Sequence, residues 1–544
     1  MKTLEVQTSP SAVQAVAQAV GIGEFARAAA LADTALAKGF NHPILFIARA
    51  LLLERQARDE DALAAFQHAR ILAPKDPRLL NAIGVCLLRL HRYGDALAAF
   101  DEAIRIKPAE SATHQNRGLA LGMAGRAEEA DRAHARAVRL DPRNVEALTS
   151  LASIAAHKGE TGMARDYAER ALKIDSRNLA ARAVLALAEV SQSQFADAES
   201  RLRVLVEEPG LAGHARAVAF ALLGDALDGQ DRCADAFAAY AAANTERRTF
   251  HQPRFLGNPG AIDILEHLVA SFGATADEQW RAAGHDEPGQ GPVQHVFLLG
   301  FFRSGTTLLG QVLESHPDIV TLDERDFLAD AAERYLNGVD GLARLSASAE
   351  DELAIHRKNY WQRVRDQGLR VEGKVFVDKH PFHSIKLPLI FKLFPDAKVL
   401  YAIRDPRDVV LSCFRRQLDV DLVKFEFLTL EGAARLYDCV MRFGELCHRK
   451  LSLAILDHRY EDLVGAFDDR TRAVCDFVGV PWSDSMRDFA VAAQSLGAQK
   501  RSAKQVRRGL YSAGAGRWRC YRSQLEPVLP LLQPWIERFG YAGD

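Results

Sequence analysis

The stretch Leu299-Gly300-Phe301-Phe302-Arg303-Ser304-Gly305-Thr306-Thr307-Leu308 decides the fold of the second half of the chain. It follows a predicted strand and opens a predicted helix, and its two glycines are spaced as in a phosphate-binding loop. Glycines at such a turn let consecutive backbone N–H groups converge on phosphate oxygens at a helix N-terminus. A nucleoside-triphosphate loop adds a lysine for the outer phosphates and a Ser/Thr for magnesium. Here Thr306 stands where the lysine belongs. The pattern therefore points to a phosphorylated donor other than ATP, one that keeps no γ-phosphate and needs no metal. Taken alone, the glycine spacing is also that of any tight strand-to-helix turn.

About a hundred residues further on, Val399-Leu400-Tyr401-Ala402-Ile403-Arg404-Asp405-Pro406-Arg407-Asp408-Val409-Val410-Leu411-Ser412 runs from β-forming residues through a charged turn into a helix. Arg404 and Ser412 are thus expected near the carboxyl end of a parallel strand, the edge where open α/β sheets bind ligands. Together the two segments resemble the two phosphosulfate signatures of sulfotransferases. One holds the 5′-phosphosulfate of PAPS (3′-phosphoadenosine 5′-phosphosulfate); the other holds its 3′-phosphate. Within that superfamily, Val377-Asp378-Lys379-His380-Pro381-Phe382, Leu393-Phe394-Pro395-Asp396-Ala397-Lys398, and His316-Pro317-Asp318 followed by Asp323-Glu324 resemble the tyrosylprotein sulfotransferase branch. The resemblance covers roughly residues 293–544. It implies an α/β, P-loop-like domain with a parallel sheet flanked by helices.

Sulfuryl transfer is similar to phosphoryl transfer, so positioning and electrostatic stabilisation dominate, with cations on the leaving side and a base on the acceptor side. By resemblance, Arg303, Ser304, Gly305, Thr306 and Thr307 would hold the 5′-phosphosulfate, while Arg404 and Ser412 would grip the 3′-phosphate. A guanidinium fork suits that contact better than an ammonium. Lys379 would neutralise the departing bridging oxygen; its bland alternative is a surface lysine at a strand end. Glu324 is the candidate base, with His380 and Asp323 as alternatives and helix capping by the acidic run Asp323-Glu324-Arg325-Asp326 as a purely structural reading. Tyr460 would pack near the adenine. Ser502 and Arg517 resemble the nucleotide-closing residues of the tyrosylprotein branch, whereas Arg507-Arg508-Gly509 resembles the clamp of cytosolic relatives, and the sequence leaves both open. Protein tyrosine is the acceptor that the branch implies, with carbohydrate, lipid-linked glycan or small phenol as alternatives. A P-loop kinase or nucleotide hydrolase, or a scaffold without activity, are the competing readings.

The first half carries a different signal. Ala28, Ala62, Ala96, Ala130, Ala164 and Ala198 recur every 34 residues, and Pro74, Pro108 and Pro142 keep the same step. That is the tetratricopeptide period, in which each helix-turn-helix unit buries its apolar face only against its neighbours. Phe66 and Phe100 repeat as core plugs, Gly84 and Gly118 repeat within the first helix of successive units, and Ala236 resumes the phase four residues late. The expected organisation is a solenoid of about six or seven units over 1–245, a connector with one short helix over 246–292, and a sulfotransferase domain over 293–544. A solenoid groove suits a protein or peptide acceptor. The oligomeric state is not legible.

Composition excludes several classes. With 69 basic and 71 acidic residues the formal charge is −2, which argues against nucleic acid or an anionic membrane surface as partner. The N-terminal stretch lacks an apolar core with a cleavage signature, so no membrane insertion is expected. Seven cysteines form no CxxC pair or metal-ligand spacing, which suits a reducing compartment. The expectation is a cytoplasmic protein, unlike the membrane-anchored Golgi enzymes of the eukaryotic branch and closer to a bacterial relative.

Overall fold

The computed structural model describes residues 10–280, 291–338, 340–489 and 515–542. The chain divides into two compact units, Met1–Arg201 and Leu202–Asp544.

The described residues of the first unit form helices joined by short turns. First helices of successive pairs begin at Pro43, Pro77, Ser111, Val145 and Leu179, one every 34 residues. The recurring alanines Ala28, Ala62, Ala96, Ala130 and Ala164 are all buried in the second helices, where a larger side chain would hold the helices apart. Gly84 and Gly118 have a more specific task. A Cβ on Gly84 would lie 2.4 Å from the Phe100 ring, and one on Gly118 2.6 Å from the His134 ring, so the ring of the second helix seats directly on the glycine of the first. Where that glycine gives way to Ala152, the facing ring gives way to Ala168, and both are fully buried. Asp76, Asn144 and Asn178 cap their helices by accepting from Arg78, Ala147 and Ala181 amides at 2.9 Å.

Among its described residues the second unit is built on five parallel strands: β1 (Gln294–Gly300), β2 (Ile319–Asp323), β3 (Val375–Lys379), β4 (Lys398–Ile403) and β5 (Ala454–Arg459), in the order β2-β3-β1-β4-β5. β3 is buried throughout, and β1 and β4 are buried past their first residues, as expected of strands covered on both faces. The chain leaves β1 toward β2 on one side and later returns on the other side at β4. The carboxyl end of β1 is therefore the topological switch point, and ligand crevices form there. The fold is the α/β sheet expected, preceded by tetratricopeptide helices.

The helices Gly213–Asp228 and Cys233–Phe255 belong to this second unit. A Cβ on Gly224 would lie 2.5 Å from Tyr240, so the ring-on-glycine pair recurs here with the four-residue slip seen at Ala236. The expected boundary at residue 245 falls inside the second of these helices. Within the expected connector, Ala261–Ala274 is helical and packs Phe272 against Phe443 at 5.5 Å. Cys233 and Cys520 form a disulfide across 287 residues of sequence. That separation leaves no local spacing signature, which is why the reading of cysteine spacing as a sign of a reducing compartment did not anticipate it. Among the described residues no helix is long and apolar enough to cross a membrane.

Candidate active site

The loop after β1 is shaped by close approach. A Cβ on Gly300 would come within 2.5 Å of the Ala402 carbonyl of β4, and one on Gly305 within 2.6 Å of the Tyr460 ring. Gly305 also adopts φ +98° as the N-cap of the helix Thr306–Glu314, a conformation that costs glycine nothing. Ser304 is buried and donates to the Phe301 carbonyl at 2.6 Å. Thr306 is buried, while Thr307 is partly exposed at the mouth of the loop.

Four expected donor residues meet around this loop. Arg303 Nε donates to Ser412 Oγ at 3.1 Å, Arg404 Nη1 donates to the Arg303 carbonyl at 3.2 Å, and the Arg404 guanidinium lies 4.7 Å over the Tyr460 ring. Burial, with Arg416 and Arg404 nearby, pushes the Arg303 guanidinium down to about 10. A partly buried cation whose charged state is opposed by its own surroundings is suited to an anion.

On the other side of β1, Lys379 ends β3 and is almost fully buried. Its Nζ donates to Glu324 Oε1 at 2.8 Å and forms a second ion pair with Asp323. Parallel pairing explains the convergence. Asp323 stands opposite Lys379 in the β2–β3 register, and the Glu324 amide donates to the Lys379 carbonyl at 2.8 Å. Glu324 is held at φ +50° and Arg303 at φ +69°, both in the left-handed region that disfavours non-glycine residues. The Lys379 and Asp323 side chains, with Thr307 and Gly310, line a small crevice that connects this pair to the loop helix.

His380 is differently placed. The 3₁₀ turn Pro381–Lys386 puts residues three apart on one side. His380 therefore stacks on His383 at 4.3 Å, and burial, with His383 beside it, pushes its imidazole down to about 3. Beyond it, Lys386 Nζ donates to Asp326 at 2.6 Å and His383 Nε2 lies 3.3 Å from the same carboxylate. Burial works against that carboxylate, yet His383 and Lys386 hold Asp326 well below the usual range. Sequence reasoning missed this cluster, although the spacing of His380, His383 and Lys386 was its signal.

Arg517 lies with a different group: its guanidinium is bound by Asp228 at 2.9 Å and Asp231 at 2.6 Å, not by the residues around Ser412. Ser502 and Arg507-Arg508 lie outside the described residues.

Residues 295–484 match the model of the sulfotransferase family, residues 12–117 that of the N-terminal TPR repeats region of Psidin, and residues 116–178 a tetratricopeptide repeat. The chain is similar to an uncharacterized protein of Aquifex aeolicus (strain VF5), 26% identical over 283 residues, covering 51% of this chain and 36% of that protein. It is also similar to protein-tyrosine sulfotransferase 1 of Danio rerio, 22% identical over 270 residues (45% of this chain, 72% of the relative). A putative protein-tyrosine sulfotransferase of Caenorhabditis briggsae is 23% identical over 263 residues (46% and 89%). The chain thus spans little more than a third of the Aquifex protein and most of the two animal ones. The second unit thus carries a domain of the sulfotransferase family over residues 295–484, and tetratricopeptide repeats precede it in the chain.

Proposed function

We propose that the second unit transfers a sulfuryl group from PAPS to an acceptor hydroxyl, a protein tyrosine, and that the repeats bind the acceptor protein. The observation that carries the reading is the placement of Lys379 against Glu324 at 2.8 Å, across the switch point from the linked Arg303 and Ser412. It supplies both requirements of sulfuryl transfer, cations for the leaving oxygen and a carboxylate for the entering hydroxyl.

The residues fit the donor. Loop amides at a helix N-terminus together with Arg303 suit a 5′-phosphosulfate, and Arg404 with Ser412 suits a separate 3′-phosphate. Bound PAPS supplies the sulfuryl group and a phosphate as leaving group, without a metal. In the resting protein the Lys379 ammonium is shared between Asp323 and Glu324. As Lys379 turns to the bridging oxygen it releases the Glu324 carboxylate, which accepts the hydroxyl proton while the new S–O bond forms and the old one breaks. The His380 imidazole, held neutral well below physiological pH, is the alternative base. Tyrosine as acceptor is supported by the names of the animal relatives, and a protein acceptor by the repeats.

The test is binding first, then transfer. PAP, the desulfonated product, is expected to raise the melting temperature without divalent metal, and ATP with magnesium to leave it unchanged. Label from radioactive PAPS is then expected in tyrosine-containing protein. A magnesium requirement for nucleotide binding overturns the donor assignment, and label entering polysaccharide or organic-soluble material overturns the acceptor.

A further inference from the structure

The helix Pro406–Arg415 carries Ser412 and directly follows Arg404, so its position sets the geometry of the proposed 3′-phosphate contact. Its start is fixed locally. Asp405 caps it by accepting from the Arg407 amide at 2.9 Å and is also gripped by the Arg407 guanidinium at 2.9 and 2.7 Å. One turn in, Asp408 accepts from the Gly516 and Trp518 amides at 2.6 and 2.8 Å.

The other end is fixed from elsewhere. The last carbonyls of a helix have no partner within it, so something outside must satisfy them or they lose hydrogen bonds on burial. Here that something is the helical pair Gly213–Asp228 and Cys233–Phe255. Asn244, buried, donates to the Phe414 carbonyl at 2.8 Å, and Arg247, also buried, donates to the Leu418 carbonyl. Gln417 Nε2 donates to the Ala217 carbonyl at 3.3 Å, and Phe237 stacks on Phe414 at 4.9 Å. Arg415 pairs with Asp228 and reaches Tyr240 Oη at 3.3 Å. Asp228 in turn holds Arg517 and Tyr521, one residue past the Cys233–Cys520 disulfide. Every one of these contacts falls within six residues after Ser412 or on the segment that Asp408 binds.

We infer that this helical pair is a positioning element of the donor site. Asp228, Asn244 and Arg247 hold the carboxyl end of the Ser412 helix, and through it they set affinity for the 3′-phosphate of the donor. None of the three touches the nucleotide; they act through the orientation of Ser412 and its 3.1 Å bond to Arg303. The inference rests on the PAPS reading and extends it by making the last repeat-like pair part of nucleotide recognition.

The readout is discrimination between two ligands that differ only in the 3′-phosphate. In Asn244→Leu, PAP affinity measured by calorimetry is expected to fall about tenfold, a difference of one decade in Kd, while affinity for adenosine 5′-phosphate stays within about twofold. Asp228→Asn, which keeps the shape and removes the charge, is read the same way should the first variant not fold. A third arm uses the unaltered protein: PAP, but not adenosine 5′-phosphate, is expected to slow amide exchange in the Cys233–Phe255 helix. Equal losses for both ligands, or exchange in that helix indifferent to PAP, overturn the positioning role. Failure of the unaltered protein to bind PAP at all overturns instead the donor reading beneath it.

Discussion

Replacing Glu324 with alanine and, separately, with glycine divides backbone from side chain at the proposed base. Glu324 stands at φ +50°. An L-residue there carries about 1–2 kcal/mol of strain, which glycine relieves while adding about 0.5–1 kcal/mol of unfolded-state entropy. Both substitutions remove the same carboxylate from Lys379, so their difference isolates the backbone, and Glu324→Gly is expected to be the more stable by ~1 kcal/mol. Neither variant strands the buried ammonium, because Asp323 remains paired with it. Neither should therefore show the ~3–5 kcal/mol loss that follows an uncompensated buried charge. Turnover tells the other half: both variants should fall ~10²–10⁴-fold, the usual size of a general-base contribution, with PAP affinity nearly unchanged. Urea denaturation gives the stabilities, and initial rates with PAPS and a phenolic acceptor give turnover. Glycine less stable than alanine refutes the strain argument. Wild-type turnover in Glu324→Ala, with His380→Ala inactive, moves the base to His380.

Arg404→Ala and Ser412→Ala should each weaken PAP binding by ~1–3 kcal/mol, and Ser412→Ala combined with Arg303→Ala should cost less than the sum, because those two side chains share a hydrogen bond; strict additivity in calorimetric titrations counts against their acting as one unit. His134, seated on Gly118, is pushed by burial down to about 4 from an ordinary 6.5, so the unfolded chain binds a proton that the folded one does not, and stability is lost as pH falls from 6.5 toward 4. His134→Phe, which copies the Phe100 arrangement, should remove about 2 kcal/mol of the stability difference between pH 7 and pH 5; parallel stability curves for variant and wild type refute it. A chain beginning at Leu211 should bind PAP as the full chain does, whereas one beginning at Gly291, having lost Asn244 and Arg247, should bind it about tenfold or more weaker; equal affinity in the two dismisses the role of the terminal helical pair.

The parts legible in the sequence were those encoded locally. Thr306 in the lysine position and the Arg404-to-Ser412 spacing each sit on one strand-turn-helix, so residue type and separation sufficed to place them at the sheet edge. The 34-residue step likewise records a packing requirement repeated in every unit. Illegible were the contacts that link distant segments. Nothing near Cys233 announces Cys520, and nothing near Asn244 announces the Phe414 carbonyl, 170 residues on. Arg517 illustrates the same limit. The resemblance pointed to a role for it, while the carboxylates it pairs with, Asp228 and Asp231, lie almost three hundred residues earlier and left no mark near it in the sequence.

Backbone conformation adds an argument that residue type alone could not. Among the described residues, six that are not glycine adopt a left-handed φ: Ala57, His91, Ser193, Asp231, Arg303 and Glu324. Four of them occupy one recurring place, the turn between paired helices. Ala57, His91 and Ser193 keep the 34-residue step, Gly125 and Gly159 fill the two intermediate steps, and Asp231 follows with the four-residue slip. A position that takes alanine, histidine, glycine, serine and aspartate in turn is set by backbone shape and indifferent to side-chain chemistry. Arg303 and Glu324 have no such series. Each stands alone at the carboxyl end of a parallel strand, where glycine would satisfy the turn at lower cost. Each is tied by hydrogen bonds of its own, Arg303 to Ser412 and Arg404, and Glu324 to both the backbone and the side chain of Lys379. A charged residue retained in a conformation that opposes it is best explained by a need for its side chain, and the two in this chain lie on the leaving and entering sides of the proposed transfer.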